Sequence, residues 1–474
     1  MMKFIGRKKE LEKLLQFKKK RTASLIVIHG RRRIGKSRLI EELAREFPKA
    51  YIFSGLPPEV HVNEEIQRKE FITQMQQQGI PRLGQDSWSD LFLDVANHSH
   101  KGPVLIALDE ITWMGSADPA FLGKLKTAWD LHYKTNPQLM LVISGSNSMW
   151  IEENILNSTG FVGRISYRLK LDELPLSDCK KFFPPEISAY EIFKVLSVIG
   201  GIPRYLEEIQ PGLTAERNIC DLCFDAGGLL FNEFTQLFSS LFSRRAGVYA
   251  ALLDAMKEGA KSLKELSSTL GRQPGGDLVK YLKELQEAGF IQRYRQWKLA
   301  DPNKGELYRY RISDNYTRFY LKFIAPRKAQ IEQTGRAELP SGWLSMMGIQ
   351  FESLVVNHHT ELEQILKIPL NEIISSGPYF QTKTKLREGC QIDYLIQTRF
   401  DVLYVCEIRF SKKELGSDVV CEMQEKIARL ARPSGMSIRP VLVHVNGVTD
   451  ELLEKEYFAH IVNFSDLLTI HAWQ

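Results

Sequence analysis

The sequence has little that would place it outside the cell or in a membrane. Six cysteines are spread over 474 residues, and none stand at disulfide spacing. Cys220 and Cys223 form a CxxC, but no second pair or histidine accompanies them nearby. Residues 218–224 also read as a helix with both thiols near its apolar side, so core cysteines are expected rather than a metal site. No apolar run is long enough to span a bilayer, and no membrane partner is expected. Residues 1–7 lack the apolar stretch of a secretory leader and run into a charged helix. Together these absences predict a reduced, cytoplasmic protein. An excess of one charge is also missing. The 63 basic residues face 57 acidic ones, for a net charge of +6, which permits a nucleic-acid partner without demanding one. Basic residues do cluster at 18–21 and 31–33. The first cluster reads as a solvated helix end.

What is present is globular. Hydrophobic residues make up 43% and charged residues 25%, and the length predicts about three domains. Residues 24–30, SLIVIHG, read as a buried parallel strand. GRRRIGKS follows, then the helical RLIEELAREF. A strand, a glycine-rich loop and a helix in that order give GxxxxGK[ST] the context of a P-loop. Gly30 and Gly35 allow backbone turns that bring amide N–H groups toward a phosphate. The new helix points its positive end at the same place. Lys36 supplies a mobile cation for the β- and γ-phosphates, and the Ser37 hydroxyl is a hard oxygen ligand for Mg2+. Arg31, Arg32, Arg33, Ile34 and Arg38 complete the expected nucleotide-binding stretch. The ligand expected is ATP with Mg2+.

A second strand, PVLIALDE, ends in Asp109 and Glu110. Asp109 is expected to hold the Mg2+ water shell, and Glu110 to polarise the attacking water. A third strand, residues 139–143, ends in the polar run Ser144, Gly145, Ser146 and Asn147. That run reads either as a γ-phosphate sensor or as a turn of small residues.

These features resemble the archaeal-type ATPase family, AAA+-related P-loop proteins near the STAND class that also occur in bacteria. The resemblance rests on FIGRKKEL (residues 4–11), the GRRRIGKS loop, the DE strand, the strand ending in small polar residues, FVGRISYRLKLDELPL (161–176) and GGIPRYL (200–206). It implies that Arg7 lies close to the nucleotide and that Pro203 touches the adenine from a helical lid. Arg164 is then the better arginine-finger candidate, since a planar guanidinium suits developing phosphate charge. Arg204 is a weaker sensor candidate.

Farther on, a helix over residues 248–256, a short helix after a capping serine at 262, a turn at 271–276 and an amphipathic helix at 277–288 precede two basic and aromatic strands. This describes a winged helix-turn-helix, which the family also places here. Lys280, Lys283, Arg293 and Arg295 are candidate phosphate contacts; protein contact is the alternative. After a proline-containing linker, the chain resembles a PD-(D/E)xK nuclease-like domain, with Glu352 on a helix and Asp393 and Glu407 on strands. These three are expected to converge on a second divalent cation. The lysine position holds Arg409, which cannot act as a general base.

The fold expected is α/β. Its parts are a P-loop, AAA+-like parallel sheet (1–170), a helical lid (171–245), a winged helix-turn-helix (246–325), a linker (326–342) and a restriction-endonuclease-like domain (343–474). The leading function is an ATP-hydrolysing switch acting on DNA. A regulatory scaffold with protein partners and an ATP-gated nuclease are the alternatives.

Overall fold

The structure is a computed structural model. It describes all residues except 1–3, 58–60, 117, 243–244, 272, 274, 302–306, 386 and 471–474. The chain divides into two compact units, Met1–Glu173 and Leu174–Gln474.

In the first unit, β1 (Ser24–His29), β2 (Lys49–Ser54), β3 (Val104–Asp109), β4 (Leu139–Gly145) and β5 (Ile165–Lys170) form one sheet in the order β2-β3-β4-β1-β5. Every pairing is parallel. All residues of β1, β3 and β4 are buried, whereas the edge strands β2 and β5 alternate with exposed positions. Near-continuous apolar strands are what a parallel sheet covered on both faces requires. On one face Trp88 packs edge-on against Phe121 at 4.8 Å and Phe71 at 5.3 Å. Because β4 lies between β1 and β3, the chain ends of three central strands abut. The crevice beyond the carboxyl ends of such strands is where α/β sheets bind ligands.

The second unit begins with helices, among them Ala189–Ile199, Ala215–Cys223 and Leu229–Phe242. Cys220 and Cys223 are free thiols on the second of these. Helices Ala246–Met256, Leu263–Thr269 and Gly276–Glu287 follow. With them goes a small antiparallel sheet ordered β6 (Lys261–Ser262), β8 (Tyr308–Ile312), β7 (Ile291–Arg295). The turn expected at 271–276 falls partly outside the described residues. A mixed sheet closes the unit: β9 (Ile373–Gln381), β10 (Cys390–Thr398), β11 (Val402–Arg409), β12 (Ser437–His444) and β13 (His460–Asn463), ordered β13-β12-β11-β10-β9. β10 is antiparallel to both neighbours, and β11 to β13 run parallel. No helix among the described residues is long and apolar enough to cross a membrane.

Residues 326–342 are not a free linker. Pro326 sits in the first turn of a short 3-10 helix, where its missing N–H is harmless, and the helix Lys328–Thr334 follows. The backbone then bonds to an earlier segment, with Ala226 N–H donating to Gly335 O and Ala337 N–H to Phe224 O, both at 2.9 Å.

The expected lid, winged-helix and C-terminal segments meet through a buried polar network. Arg318, 1% exposed, donates to Gln350 Oε1 at 2.7 Å, to Ser353 Oγ at 2.8 Å and to the Ile312 carbonyl. Gln350 Nε2 donates in turn to Ser197 O at 2.7 Å and Asn315 O at 2.8 Å. Burial pulls the Arg318 guanidinium down to about 10, against the carboxylates of Glu352 and Asp314, so it stays charged at neutral pH. Arg318→Met should therefore strand several acceptors and destabilise the second unit by roughly 3–5 kcal/mol. Scanning calorimetry of the full chain checks this; an unmoved transition would show that the network adds nothing to stability.

Candidate functional site

β1 ends at His29, and the chain turns through Gly30 at φ 152°. A Cβ there would stand 2.4 Å from the Leu171 carbonyl oxygen, so only glycine passes without displacing β5's exit. Gly35, at φ 92°, ends the loop in the left-handed region and directly precedes the helix Lys36–Ala44. Lys36 is buried. Its Nζ donates to Gly30 O at 3.0 Å and Arg31 O at 3.1 Å, and lies 4.0 Å from Glu110 Oε1. Burial lowers the Lys36 ammonium from its ordinary range, while Glu110 and Asp109 act to raise it. The loop therefore holds a lysine on its own carbonyls at the N-terminus of a helix, where an anion finds both donors and dipole.

The two carboxylates come together from the end of β3, and each meets a serine from the end of β4. Ser37 Oγ donates to Asp109 Oδ2 at 2.6 Å, and the Ser144 hydroxyl donates to Asp109 Oδ1. Glu110 takes a left-handed backbone, φ 50°, which turns it away from the strand line. Its Oε2 accepts from Ser146 N–H at 3.1 Å and from Ser146 Oγ at 2.9 Å. The polar run after β4 thus serves the acids: Ser144 holds Asp109 and Ser146 holds Glu110. Asn147 caps the next helix instead, accepting from Trp150 N–H at 3.0 Å.

Arg7 is buried beside the loop and donates to Ile34 O at 3.1 Å and to the Asp172 carbonyl. Ile34 and Arg31 are buried. Arg33 is left-handed at φ 68°. The Arg32 guanidinium lies 5.0 Å from the centre of the Trp113 ring, and Arg38 pairs outward with Glu41 at 3.1 Å. Arg164 stands apart from the loop in its bonding. Its fork holds Asp130 through two hydrogen bonds of 2.9 Å, and with Lys126 it keeps the Asp130 carboxyl well below the usual range. Pro203 opens the short helix Pro203–Leu206 of the second unit, and Arg204 pairs with Glu208 at 2.5 Å.

The donor set suits a magnesium nucleotide: hard oxygens on Ser37 and Asp109 face one another, and the loop backbone at Gly30 leaves no room for a side chain. Residues 4–209 match the model of a family described as an ATPase domain predominantly from Archaea. The protein is an ATPase. It is 26% identical over 376 residues to an uncharacterized protein of Methanocaldococcus jannaschii, an alignment that covers 77% of this chain and 79% of that one. Among solved structures it is similar to a Walker-type ATPase of Pyrococcus abyssi, with 17% identity, TM-score 0.49, and 68% and 96% of the two chains covered. The ORC2 protein of Aeropyrum pernix gives 14%, 0.42, 70% and 98%.

In the second unit of the ATPase, Asp393 and Glu407 sit one position beyond the paired Tyr394 and Cys406 of β10 and β11. Asp393 lies in a register shift of β10 against β9, the kind of irregularity that re-aims a side chain. It accepts from Ile408 N–H at 2.9 Å. Burial, then the carboxylates of Glu407 and Glu352, push Asp393 up to about 8. Glu352, on the helix Met347–Asn357, is raised chiefly by burial. The three acids therefore feel one another. Yet among the described residues no group of three or more His, Cys, Asp or Glu is placed to hold a metal ion, so the shared-ion arrangement expected for them is not formed.

A lysine takes that place. Lys426, on the helix Asp418–Arg429, donates to Glu407 Oε2. Arg409 lies 3.7 Å from Glu407 Oε1 and 3.0 Å from Glu422. Sequence reasoning missed Lys426 because it comes 19 positions after Glu407, on a helix with no motif of its own. The available signal was the spacing of Glu422 and Lys426, one helical turn apart.

Two outcomes follow from these contacts. Lys36→Ala should remove most Mg-ATP affinity, because the loop loses its mobile cation; calorimetric titration of the folded variant checks it, and unchanged affinity would refute the site. Lys426→Met should destabilise the second unit by roughly 1–3 kcal/mol. Asp393's folded value lies above its unfolded value, so its contribution to stability falls as pH rises from about 4 to about 8. The loss should accordingly be larger at pH 8.5 than at pH 6. Urea melts at both pH values are the measurement; an equal loss would mean that Lys426 does not act as the acids' counter-ion.

Proposed function

We propose that the protein is an ATP-driven molecular switch that acts on DNA. The helix Gly276–Glu287 carries the DNA part of this reading. Leu278, Leu282 and Leu285 are buried along one side, while Lys280 and Lys283 are exposed. Two shorter helices precede it and an antiparallel hairpin follows, with Arg293 exposed and its guanidinium 4.3 Å from the centre of the Tyr308 ring. This order supports reading residues 246–325 as a winged helix-turn-helix, whose last helix enters the major groove.

For ATP turnover, Lys36 neutralises charge on the β- and γ-phosphates and the loop amides hold the phosphate chain. Ser37 and Asp109 would hold Mg2+, which supplies charge neutralisation on the phosphates when bound. Glu110 orients the attacking water and takes its proton, with Ser146 fixing one carboxylate oxygen. In this reading Arg7 lies beside the nucleotide, and Arg164 serves as arginine finger once released from Asp130. The C-terminal segment, read as nuclease-like, holds a nucleic-acid backbone rather than cutting it. Arg409 is a poor base, and the three carboxylates do not form a ligand set for a second cation.

ATP hydrolysis with and without duplex DNA tests the proposal. Duplex should raise kcat severalfold, and Lys280→Glu with Lys283→Glu should abolish the stimulation. Glu110→Gln should keep Mg-ATP bound and slow turnover by roughly a hundredfold or more. Hydrolysis indifferent to DNA would favour a regulatory scaffold with protein partners.

A further inference from the structure

Three cavities of the second unit share lining residues. The first, about 960 Å3, is walled by residues following β7 and by β9, with Trp297, Tyr379, Lys298, Arg387 and Arg432 in its lining. The second, about 390 Å3, shares Phe380, Gln381 and Thr382 with the first. The third, about 290 Å3, shares Gly389, Cys390 and Gln391 with the second, and ends on Asp393 and Lys426. The shared residues place the three in series from Trp297 to the acid cluster, and we read them as one cleft.

Charge is one-sided in the first two cavities, although the chain as a whole is nearly balanced. No Asp or Glu is among the described lining residues of the first two cavities. Lys298, Arg387 and Arg432 are exposed, and no ion pair joins them to a carboxylate among the described residues. Arg309 lines the second cavity, 4.7 Å from the centre of the Phe380 ring. Trp297 packs edge-on against Tyr379 at 5.4 Å. Trp297 and Tyr379 are both buried in the core, so the half-buried Phe380, shared by the first two cavities, is the ring their described walls expose.

Basic side chains along a path and aromatic rings in its walls are the two elements of single-strand recognition. The phosphates follow the cations, and an unpaired base stacks on Phe380. A double helix needs an open face, because its bases are already stacked. A small ligand would need only the first cavity and would leave the path to Asp393 without a role. We propose that this cleft binds one single strand of nucleic acid, running from the Trp297 cavity past Phe380 to Asp393 and Lys426. The inference rests on the reading of the ATPase as a protein that acts on DNA. It adds an unpaired strand as a second ligand form, beside the duplex assigned to Lys280 and Lys283.

The test uses the full chain, a fluorescein-labelled oligothymidylate and, separately, a labelled duplex, with binding read by anisotropy over a range of salt. Combining Lys298→Glu, Arg387→Glu and Arg432→Glu should weaken oligothymidylate binding at least tenfold. It should also flatten the slope of log K against log salt by about 2, since each single-strand phosphate contact contributes roughly 0.7. Duplex and Mg-ATP binding should be unchanged, which also reports that the variant folds. Phe380→Leu keeps apolar bulk but loses the ring, and should weaken the oligonucleotide without changing the slope. Wild-type affinity and slope in the triple variant would overturn the cleft. So would displacement of the strand by equimolar mononucleotide, which would assign the cavity to a small ligand. Wild-type protein that binds duplex but no oligothymidylate refutes the cleft and leaves the DNA reading standing. Protein that binds neither refutes both.

Discussion

A cation removed from water must be given acceptors, and much of this structure is arranged around that requirement. Arg318 is the plainest case. Its guanidinium lies in the interior of the second unit, and its acceptors come from β8's exit, from Gln350 and from Ser353. Gln350 extends the demand to Ser197 on another helix. Segments with no common apolar pattern are thereby held to one geometry, because any displacement leaves a charge or an amide unpaired.

The same requirement is met in two ways beside the acids, with different chemical consequences. Lys36 rests on the neutral carbonyls of Gly30 and Arg31, while Glu110 stands 4.0 Å away. Its charge is not cancelled by a contact ion pair, and so it remains available to an incoming phosphate. Lys426 is bonded directly to Glu407, and its charge is largely used inside the protein. One site is ready for a polyanion; the other is a neutralised cluster whose remaining acid, Asp393, holds its proton well above the ordinary carboxylate range. Arg409 and Arg429 face solvent beside that cluster, and Lys298, Arg387 and Arg432 do so at the neighbouring Trp297 cavity.

Strand order explains why the first site works as a unit. β4 separates β1 from β3, so the hydroxyls of Ser144 and Ser146 at its end come within reach of the two carboxylates beside the lysine loop. Ser144 then fixes Asp109, and Ser146 fixes Glu110. Sequence placed these serines at a strand end with a choice between phosphate sensing and a plain turn. The bonds to Asp109 and Glu110 were legible in neither option, because hydrogen-bond partners on a neighbouring strand depend on a pairing that local sequence does not state.

Local chemistry determined the P-loop itself. A buried β-branched strand, glycines where the backbone must turn, and a lysine and serine opening a helix are requirements that neighbouring residues impose on one another within a dozen positions. The apolar strand ending in Asp109 and Glu110, and the amphipathic helix that buries Leu278, Leu282 and Leu285, were legible for the same reason. Tertiary structure alone decided the rest. It committed Arg164 to Asp130, tied residues 335 and 337 back to 224 and 226, and brought Lys426 to Glu407. Each of these is a charge or backbone group satisfied by a partner distant in the chain. Periodicity and motif spacing describe only what a residue meets along its own helix or strand, whereas a buried polar group takes whichever partner folding brings within hydrogen-bond reach.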